Sequence, residues 1–506
     1  MKRLILVFLI SFPSIAFAQL TGSVESSTIF YVPDGSTGAD SSQKWGSNNY
    51  LKLDYTKNRF SAGVQMEYYP MPLQGYAPEL KGFGVPVKYI NWTDEKWNVT
   101  AGDFYGQFGS GLVFRSWEDR QLGFNNSILG IDAGFHNDYM EINAFYGIPR
   151  YYLKYVPTQV GGVDMNLYAD EFCFGASFVS RIDDRGSGKG IPLVVQTLGL
   201  PDTGWNGSWS GRIGWNHNNL SINAEYVGKT AETSLVGGNY QNVGGDAELL
   251  EINWFSRNVS ARLTARRLVN MESHIFKTTE PYTDANILNY LPSLAQEQVY
   301  MLASLNPYIT FGQGEAGTAG DIFWKKDSWR FHIGGALIYG LPNALPHRDK
   351  PYLAYRELNA DIEKKWSPAF RTVLFVSIQE KSPTHGDRKA TEAQNAFVLD
   401  ALYKFSPAVS LRGEIQYLYS EEREKDWMAA LAELSFAGHW SLTASDMYNH
   451  GSTKVHYYSL GAAYRVSSLR VAFEYGLHKD GFICSGGVCR YQRSYKGGNL
   501  MLTYSF

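Results

Sequence analysis

The feature that most constrains the fold is a two-residue hydrophobic repeat that recurs along the chain in segments of about ten residues. Clear examples lie at residues 220–226, 259–266, 409–417 and 469–475. Successive side chains of a β-strand point to opposite faces of a sheet, so each segment predicts a strand with one apolar and one polar face. About ten residues is also the length of a tilted strand that crosses a membrane.

The rest of the composition agrees with a membrane sheet. After its N-terminus the sequence has no window of the roughly 18 apolar residues that a spanning helix requires. A sheet in lipid must close into a barrel, because lipid offers no hydrogen-bond partner to a free edge. Aromatic residues make up 15% of the chain, and Tyr and Trp suit the interface between lipid and water. The sequence therefore predicts an all-β protein, a single large antiparallel transmembrane β-barrel.

Short and long connections between the predicted strands alternate. The short ones lie at residues 57–58, 93–95, 137–138, 217–218, 257–258, 326–327, 367–368, 406–407, 437–438 and 467–468, and the long ones at 32–46, 148–170, 230–245, 381–394 and 479–497. This rhythm places the short turns on one rim, the periplasmic rim in bacterial outer-membrane barrels, and predicts an even strand number. We expect about 24 strands, within a range of about 22 to 26. Ile191–Leu198 has the least regular alternation.

The two ends of the chain carry their own signals. Residues 1–18 predict a cleaved signal peptide, since Lys2 and Arg3 precede an apolar run that ends in the A-x-A pattern of residues 16–18. The barrel would then occupy residues 19–506 and lie in the bacterial outer membrane, with membrane lipid as its partner. Residues 499–506 alternate strictly and end on Phe506. We expect this strand to pair with the first one, because a free edge of this kind is prone to aggregate.

The segment Gly106–Ser127 (GQFGSGLVFRSWEDRQLGFNNS) is the first candidate for function. Its glycines loosen the backbone, and five bulky or charged residues follow closely, namely Arg115, Trp117, Glu118, Asp119 and Arg120. In one interpretation the segment folds inward, narrows the lumen and pairs with polar wall residues, because a wide barrel is rarely empty. In the other interpretation it is a surface loop with a solvated charge cluster.

Residues 270–317 form the longest stretch without predicted strands. Within it, Ser293–Leu305 has apolar residues near helical spacing and predicts a short helix. Loops of this length usually fold or have a function. An outer lid, a second inward fold and a loop ordered only by its own packing all stay open.

Charged residues on the polar faces of predicted strands form a third group of candidates. They are Arg262, Arg266, Arg412, Glu414, Arg470 and Glu474. We expect them to face the lumen, because an Arg or Lys that faces lipid at the bilayer midplane costs roughly 2–4 kcal/mol. There they either tune the selectivity of a passage or brace the wall by pairing across neighbouring strands.

Cys484 and Cys489 flank a short Gly-rich turn. In an exported protein they can form a local disulfide, and the alternative is two reduced thiols in a loop. Two thiols without nearby histidines do not make a metal site. We expect neither a metal nor a cofactor.

The sequence argues against an enzyme and against nucleic acid as a partner. It contains neither a G-x-S-x-G nor an H-E-x-x-H motif, and its 10 His are scattered. The net charge of −3 provides no electrostatic attraction for nucleic acid.

Two stretches carry a resemblance to a known family. Residues 109–130 (GSGLVFRSWEDRQLGFNNSILG) and 288–310 (LNYLPSLAQEQVYMLASLNPYIT) resemble large outer-membrane barrels of the Bacteroidota that are catalogued only as a domain of unknown function. The resemblance implies an outer-membrane barrel over the mature chain, and it supplies no activity, cofactor or catalytic residue. We find neither a TonB box nor an N-terminal plug domain, so the sequence does not resemble a TonB-dependent receptor.

Together these features predict an integral outer-membrane barrel whose partly occluded lumen passes a solute or a partner chain. Two alternatives stay open. One is a scaffold barrel that binds another envelope protein, and the other is a barrel hydrolase. A soluble array of β-sandwiches would require linkers between domains, which the sequence does not show.

Overall fold

The computed structural model describes residues 20–39, 42–183, 199, 204–236, 239–275, 286–342, 350–383, 391–485 and 488–506. The predicted signal peptide and the irregular segment Ile191–Leu198 lie outside these residues. Within the described ranges, no helix is long and apolar enough to cross a membrane.

Strands account for most of the described chain. They are β1 (Leu20–Val32), β2 (Trp45–Lys57), β3 (Phe60–Met71), β4 (Gly82–Thr93), β5 (Trp97–Phe104), β6 (Gly106–Phe108), β7 (Phe114–Ser116), β8 (Glu118–Asp119), β9 (Phe124–Asn125), β10 (Ile128–His136), β11 (Met140–Tyr151), β12 (Lys154–Tyr155), β13 (Gln159–Ala169), β14 (Phe172–Ile182), β15 (Trp205–His217), β16 (Leu220–Val236), β17 (Asn239–Phe255), β18 (Val259–Val269), β19 (Gly314–Lys326), β20 (Trp329–Gly340), β21 (Tyr352–Lys365), β22 (Phe370–Lys381), β23 (Glu392–Ser406), β24 (Val409–Ser420), β25 (Trp427–Phe436), β26 (Trp440–Asn449), β27 (His456–Val466), β28 (Leu469–His478), β29 (Gly481–Ser485), β30 (Val488–Gln492) and β31 (Tyr495–Ser505). A short 3-10 turn spans Pro78–Leu80.

The wall is a closed antiparallel barrel of 24 strands, which confirms the predicted fold class and strand number. The ring closes where β1 pairs with both β2 and β31. Ser23 lies opposite Ser505, and Val32 lies opposite Lys496. This closure leaves the first and last strands without a free edge. Seven short strands, β6 to β9, β12, β29 and β30, belong to the connections.

The two faces of the wall differ in polarity. In β24, the side chain of Ile415 is 68% exposed, whereas its neighbours Glu414 and Gln416 are 6% and 2% exposed. Large apolar side chains with the same outward exposure include Ile90, Ile131, Tyr146, Ile213, Leu263, Ile333, Leu374, Leu460 and Phe473. An apolar outer face with polar groups turned inward is the arrangement expected of a barrel wall in lipid.

Short and long connections alternate around the ring, as the sequence predicts, with two differences. The stretch 148–170 is not one long connection, because β13 fills residues 159–169 and a tight turn follows. Its glycines Gly161 and Gly162 interrupt the apolar pattern that would have revealed the strand. The stretch 230–245 is a strand hairpin, since β16 and β17 continue past a bulge between Lys229 and Glu232.

The largest apolar core lies where a connection packs on the inner face of the wall. Leu112, Val113 and Phe114 are almost fully buried and pack with Phe145 and Val160. The ring centroids of Phe114 and Phe145 are 4.4 Å apart. The predicted helix at Ser293–Leu305 is wrong, because these residues form turns and irregular chain.

Candidate functional site

The segment Gly106–Ser127 folds into two small hairpins. In the first, β6 pairs with β7, and in the second β8 pairs with β9. Gly109 and Gly111 make the first turn with φ values of 54° and 93°, a left-handed region that glycine enters without a steric cost. The glycines noted in the sequence therefore shape a compact fold.

One end of this segment is anchored to the wall near β1. Arg120 forms an ion pair with Glu25 of β1, at 2.7 Å between Nη1 and Oε1. Its guanidinium also lies 4.5 Å from the ring centroid of Tyr50 in β2. Gln65 of β3 donates a hydrogen bond of 2.7 Å to the Glu118 carboxylate. Burial opposes the charge on Arg120, but the Glu118 and Glu25 carboxylates outweigh it and raise the pKa of Arg120.

The other predicted residues pack within the segment and against Tyr290, which lies outside it. The Arg115 guanidinium lies between two rings, 4.9 Å from Trp117 and 4.2 Å from Tyr290. Asp119 accepts a hydrogen bond of 3.1 Å from the backbone N–H of Leu122 and so holds a turn. Of the five predicted residues, Glu118 and Arg120 contact the wall directly.

The opposite end of the segment reaches strands far around the ring. The backbone N–H of Ser110 donates to the Glu225 carboxylate of β16 at 3.1 Å. The Arg212 guanidinium of β15 forms ion pairs with two carboxylates, that of Glu225 at 3.8 Å and that of Asp164 at 2.6 Å. The segment thus contacts inner-wall side chains of β1, β3 and β16, which lie far apart around the ring. These contacts favour the inward interpretation of Gly106–Ser127.

A second inward segment, residues 286–313, is joined to the first by two buried asparagines. Asn126 donates to the Ile287 carbonyl at 2.7 Å and accepts from the Trp117 N–H at 2.6 Å. Asn289 donates to the carbonyls of Leu112, at 2.9 Å, and Met271, at 2.7 Å. Two backbone hydrogen bonds of 2.9 Å also connect the segments, from the N–H of Arg115 to the Leu288 carbonyl and from the N–H of Tyr290 to the Gly111 carbonyl. We call this set of contacts between the two segments the joint.

The second segment continues to the strands on the other side of the lumen. The backbone N–H of Gln296 donates to Glu357 at 2.7 Å, and that of Leu302 donates to Gln416 at 3.1 Å. Tyr300 packs on Phe375, with 5.0 Å between ring centroids. The Gln416 side chain thus takes the Leu302 N–H, a donor that the predicted helix would pair internally, whereas the Gln296 N–H would lack an internal partner in either case. Among the three interpretations of residues 270–317, these contacts favour the inward fold for the part that the structure describes.

Tyr308 fixes the end of the second segment. Its hydroxyl donates to the Glu315 carboxylate of β19 at 2.8 Å, and its ring stacks on Tyr355 at 4.8 Å. Burial and the adjacent Glu315 carboxylate raise the pKa of Tyr308 well above its usual range. The phenol therefore stays neutral and acts as a hydrogen-bond donor.

The six charged wall residues differ in their surroundings. Arg262 pairs with Glu251 at 2.9 Å, Arg412 pairs with Asp400 at 2.9 Å and with Glu414, and Arg266 pairs with Glu315. Glu474 lies 3.4 Å from His478. Arg470 has no ion pair within the described ranges. Cross-strand pairs such as Arg262 with Glu251 are the arrangement expected of residues that brace the wall. The Arg262 side chain is nevertheless 57% exposed.

Several anchoring residues have no signal in the sequence. Asn126, Asn289, Glu225 and Gln416 are isolated polar residues without a motif, and only the three-dimensional contacts reveal their role. Cys484 and Cys489 lie opposite one another in the β29–β30 backbone pairing, but their side chains fall outside the described part, so the disulfide stays a prediction. No cluster of three or more metal-binding side chains occurs among the described residues.

The whole chain, residues 1–506, matches the sequence profile of one protein family. The chain belongs to the family of unknown function DUF6029. This confirms the prediction of an uncharacterised family, while its restriction to Bacteroidota stays a prediction. No curated protein matches the sequence.

Solved structures resemble this family member in fold. The E. coli P pilus tip assembly intermediate PapC-PapD-PapK-PapG matches with a TM-score of 0.51 and 9% identity, over 96% of this chain and 60% of that chain. The siderophore receptor PirA from Pseudomonas aeruginosa has a TM-score of 0.44 and 10% identity, over 96% and 80%. OccAB3 of Acinetobacter baumannii has a TM-score of 0.38 and 9% identity, over 96% and 98%. At these identities the likeness concerns the barrel fold.

Proposed function

We propose that this protein is an integral barrel of the bacterial outer membrane whose lumen is a passage for a solute or a partner chain, closed at rest by the two inward segments. The apolar outer face of the wall supports the membrane location. The signal peptide predicted over residues 1–18 provides the export that this location requires. The barrel acts without a catalytic step.

The observation that carries this proposal is how the inward segments are attached. They cross the lumen from Glu25 to Gln416, and noncovalent contacts hold them to the wall. Each such polar contact contributes roughly 0.5–3 kcal/mol. An element held by separable contacts can move aside and leave the wall intact, and the inner wall behind it carries charged groups that suit a wet passage.

Planar-bilayer conductance tests the proposal. Because Phe104 of β5 lies opposite Ile128 of β10, and Val269 of β18 lies opposite Gly314 of β19, short Gly/Ser linkers can replace residues 106–126 and 271–312 in one deletion variant without changing the wall. As a matched control, the same linker replaces residues 451–454, which connect β26 and β27. Both variants should keep the gel shift on heating that marks a folded barrel.

We expect low conductance from the wild type and from the control, and high conductance from the variant that lacks both inward segments. If the folded deletion variant is as silent as the wild type, the protein is not a pore. If the wild type already conducts as well as the deletion variant, the inward segments do not close it.

The occupied lumen also favours a second candidate, a scaffold barrel that binds another envelope protein. In that case the two segments are permanent filling and the loops on the long-connection rim are the binding surface. A stoichiometric partner that copurifies in mild detergent, together with a silent deletion variant, would favour this role. A barrel that purifies alone would count against it.

A further inference from the structure

A cavity of about 820 Å³ opens between the long connections of the barrel. Its walls come from residues 37–39, 42–43, 71–78, 81, 122–124, 152, 457, 480, 490–491 and 493–494. We call it the mouth pocket. A volume in this range suits a small organic molecule and exceeds what a simple inorganic ion fills.

Arg490 of β30 is the central group of the mouth pocket. It is 9% exposed, and its guanidinium lies 4.2 Å from the ring centroid of Tyr76. It donates to the Gln492 side-chain oxygen at 2.7 Å and to the Gln121 carbonyl at 3.3 Å. Both acceptors are neutral. Within the described ranges, no carboxylate lies within ion-pair distance of Arg490.

A buried guanidinium without a carboxylate partner is unusual, because burial of an unpaired charge costs several kcal/mol. Burial lowers the pKa of Arg490, because it disfavours the charged form of the guanidinium. An anion that enters the pocket would supply the missing counter-charge. The planar fork of a guanidinium also matches the geometry of a carboxylate, phosphate or sulfate group.

The surroundings of Arg490 add to this preference. Two further cations, Lys81 and Arg493, line the mouth pocket. The one acidic side chain of the lining, Asp480, is already engaged by the Tyr491 hydroxyl at 2.5 Å and by Lys479 at 3.7 Å. The carboxylate of the nearby Asp119 accepts a hydrogen bond from the Leu122 backbone N–H. The pocket therefore has an excess of positive charge in a chain whose net charge is −3.

Aromatic surface accompanies these charges. Tyr491 keeps 46% of its surface exposed at the pocket, and Tyr76 and Tyr152 also line it. Tyrosine rings offer a flat apolar face with a polar tip, which suits a ligand body that carries both ring surface and hydroxyl groups.

We propose that the mouth pocket binds an organic anion, whose carboxylate, phosphate or sulfate group pairs with Arg490 and whose body lies along the tyrosine rings. The inference deepens the proposed function, since it places a ligand at the mouth of the passage. Binding is measured without any transport, so the two proposals can fail separately. The pocket also borders the lumen segment, because the Tyr76 hydroxyl donates to the Arg120 carbonyl at 3.1 Å.

Isothermal titration calorimetry on the full-length folded barrel tests this inference with three probes. They are a sulfated, uronate-containing heparin disaccharide, the neutral disaccharide maltose and inorganic sulfate. We expect the charged disaccharide to bind at least tenfold more tightly than either of the others. Arg490→Gln should weaken its binding at least tenfold, whereas the control Lys454→Gln, at an exposed lysine outside the pocket, should change it less than twofold.

A second measurement does not depend on the wild-type affinity for one sugar. A ligand that binds only the folded protein raises its unfolding temperature. The heparin disaccharide should therefore raise the temperature of the gel shift for the wild type and for Lys454→Gln, but not for Arg490→Gln. Equal binding of maltose, equal binding of inorganic sulfate, an unchanged Arg490→Gln variant, or no binding by any probe would each overturn the proposal.

Discussion

Asn289 offers the sharpest test of how the two lumen segments are joined. Its side chain is fully buried. It donates to the carbonyls of Leu112 and Met271 and accepts from the N–H of Ser273 at 3.0 Å. Asn289→Ala removes these three bonds and leaves three buried backbone groups without the partner seen here. Each such group costs about 1–3 kcal/mol, and relaxation recovers part of that sum. We therefore expect the joint to lose about 2–4 kcal/mol.

Hydrogen exchange measures this loss where it occurs. The backbone N–H groups of Arg115, Leu288 and Tyr290 bond across or beside the joint, so their exchange reports its opening. A loss of about 2–4 kcal/mol corresponds to a rise in exchange rate of roughly 30-fold to 700-fold, because each 1.4 kcal/mol is a factor of ten. Amides in the middle of β24, far from the joint, should keep their protection.

The control is Asn223→Ala, the same chemical change at an exposed side chain of β16, whose one side-chain hydrogen bond among the described residues is to Ser221. A surface substitution of this kind changes stability by about 0.5 kcal/mol or less. If the three joint amides exchange at the same rate in Asn289→Ala and Asn223→Ala, the buried asparagine does not hold the segments together. The account of a noncovalently closed lumen would then be refuted.

Three further predictions concern the anchors and the wall. Arg120→Gln breaks the ion pair with Glu25 and should weaken the attachment of that end of the first segment by roughly 1–2 kcal/mol. Bilayer recordings would show this as about a tenfold rise in open time. The control Arg59→Gln, which breaks an exposed ion pair at a turn, should leave the open time unchanged. Phe114→Ala removes a fully buried ring that stacks on Phe145 and should destabilise the packing of the first segment by about 3–5 kcal/mol. Limited proteolysis should therefore cut the first segment faster in Phe114→Ala than in the control Phe174→Ala, which removes an exposed ring. Ile415→Lys places a charge on the outer face and should lower the free energy of unfolding of the barrel in lipid vesicles by roughly 2–4 kcal/mol, measured by urea unfolding. The control Ile415→Val should have an unfolding free energy close to that of the wild type. Equal effects of the two substitutions would contradict a lipid-facing position.

The sequence predicts the wall well because a strand in a barrel depends on a local rule. The alternation around Ile415 directly reports which side chains face outward. The sequence does not predict the tight turn after Ala169, because Gly161 and Gly162 blur the same pattern in β13. The interior is different. The contacts of Asn289 with Leu112 span 177 residues, and no local pattern encodes them. The spacing in Ser293–Leu305 indicated a helix, but Leu294 and Leu302 instead fill separate pockets of the wall.

The charged candidates illustrate the same limit. Their inward orientation follows from alternation and from the cost of a charge in lipid. Their partners do not, since Arg120 joins Glu25 across a long stretch of chain whereas Arg262 joins Glu251 on the adjacent strand. Arg490 lies in the predicted long connection 479–497, where the sequence indicates only Cys484 and Cys489 as candidates. The physical reason is that pairing depends on distance in space, which an isolated residue in a sequence does not reveal.

The seam between β1 and β31 has a consequence for biogenesis. The wall is complete only when the final strand has been synthesised, yet the interior joins residues near positions 112 and 289. Because β31 pairs with both β1 and β28, a truncation that removes it exposes two strand edges, whereas the loss of a single loop leaves the ring of pairings intact.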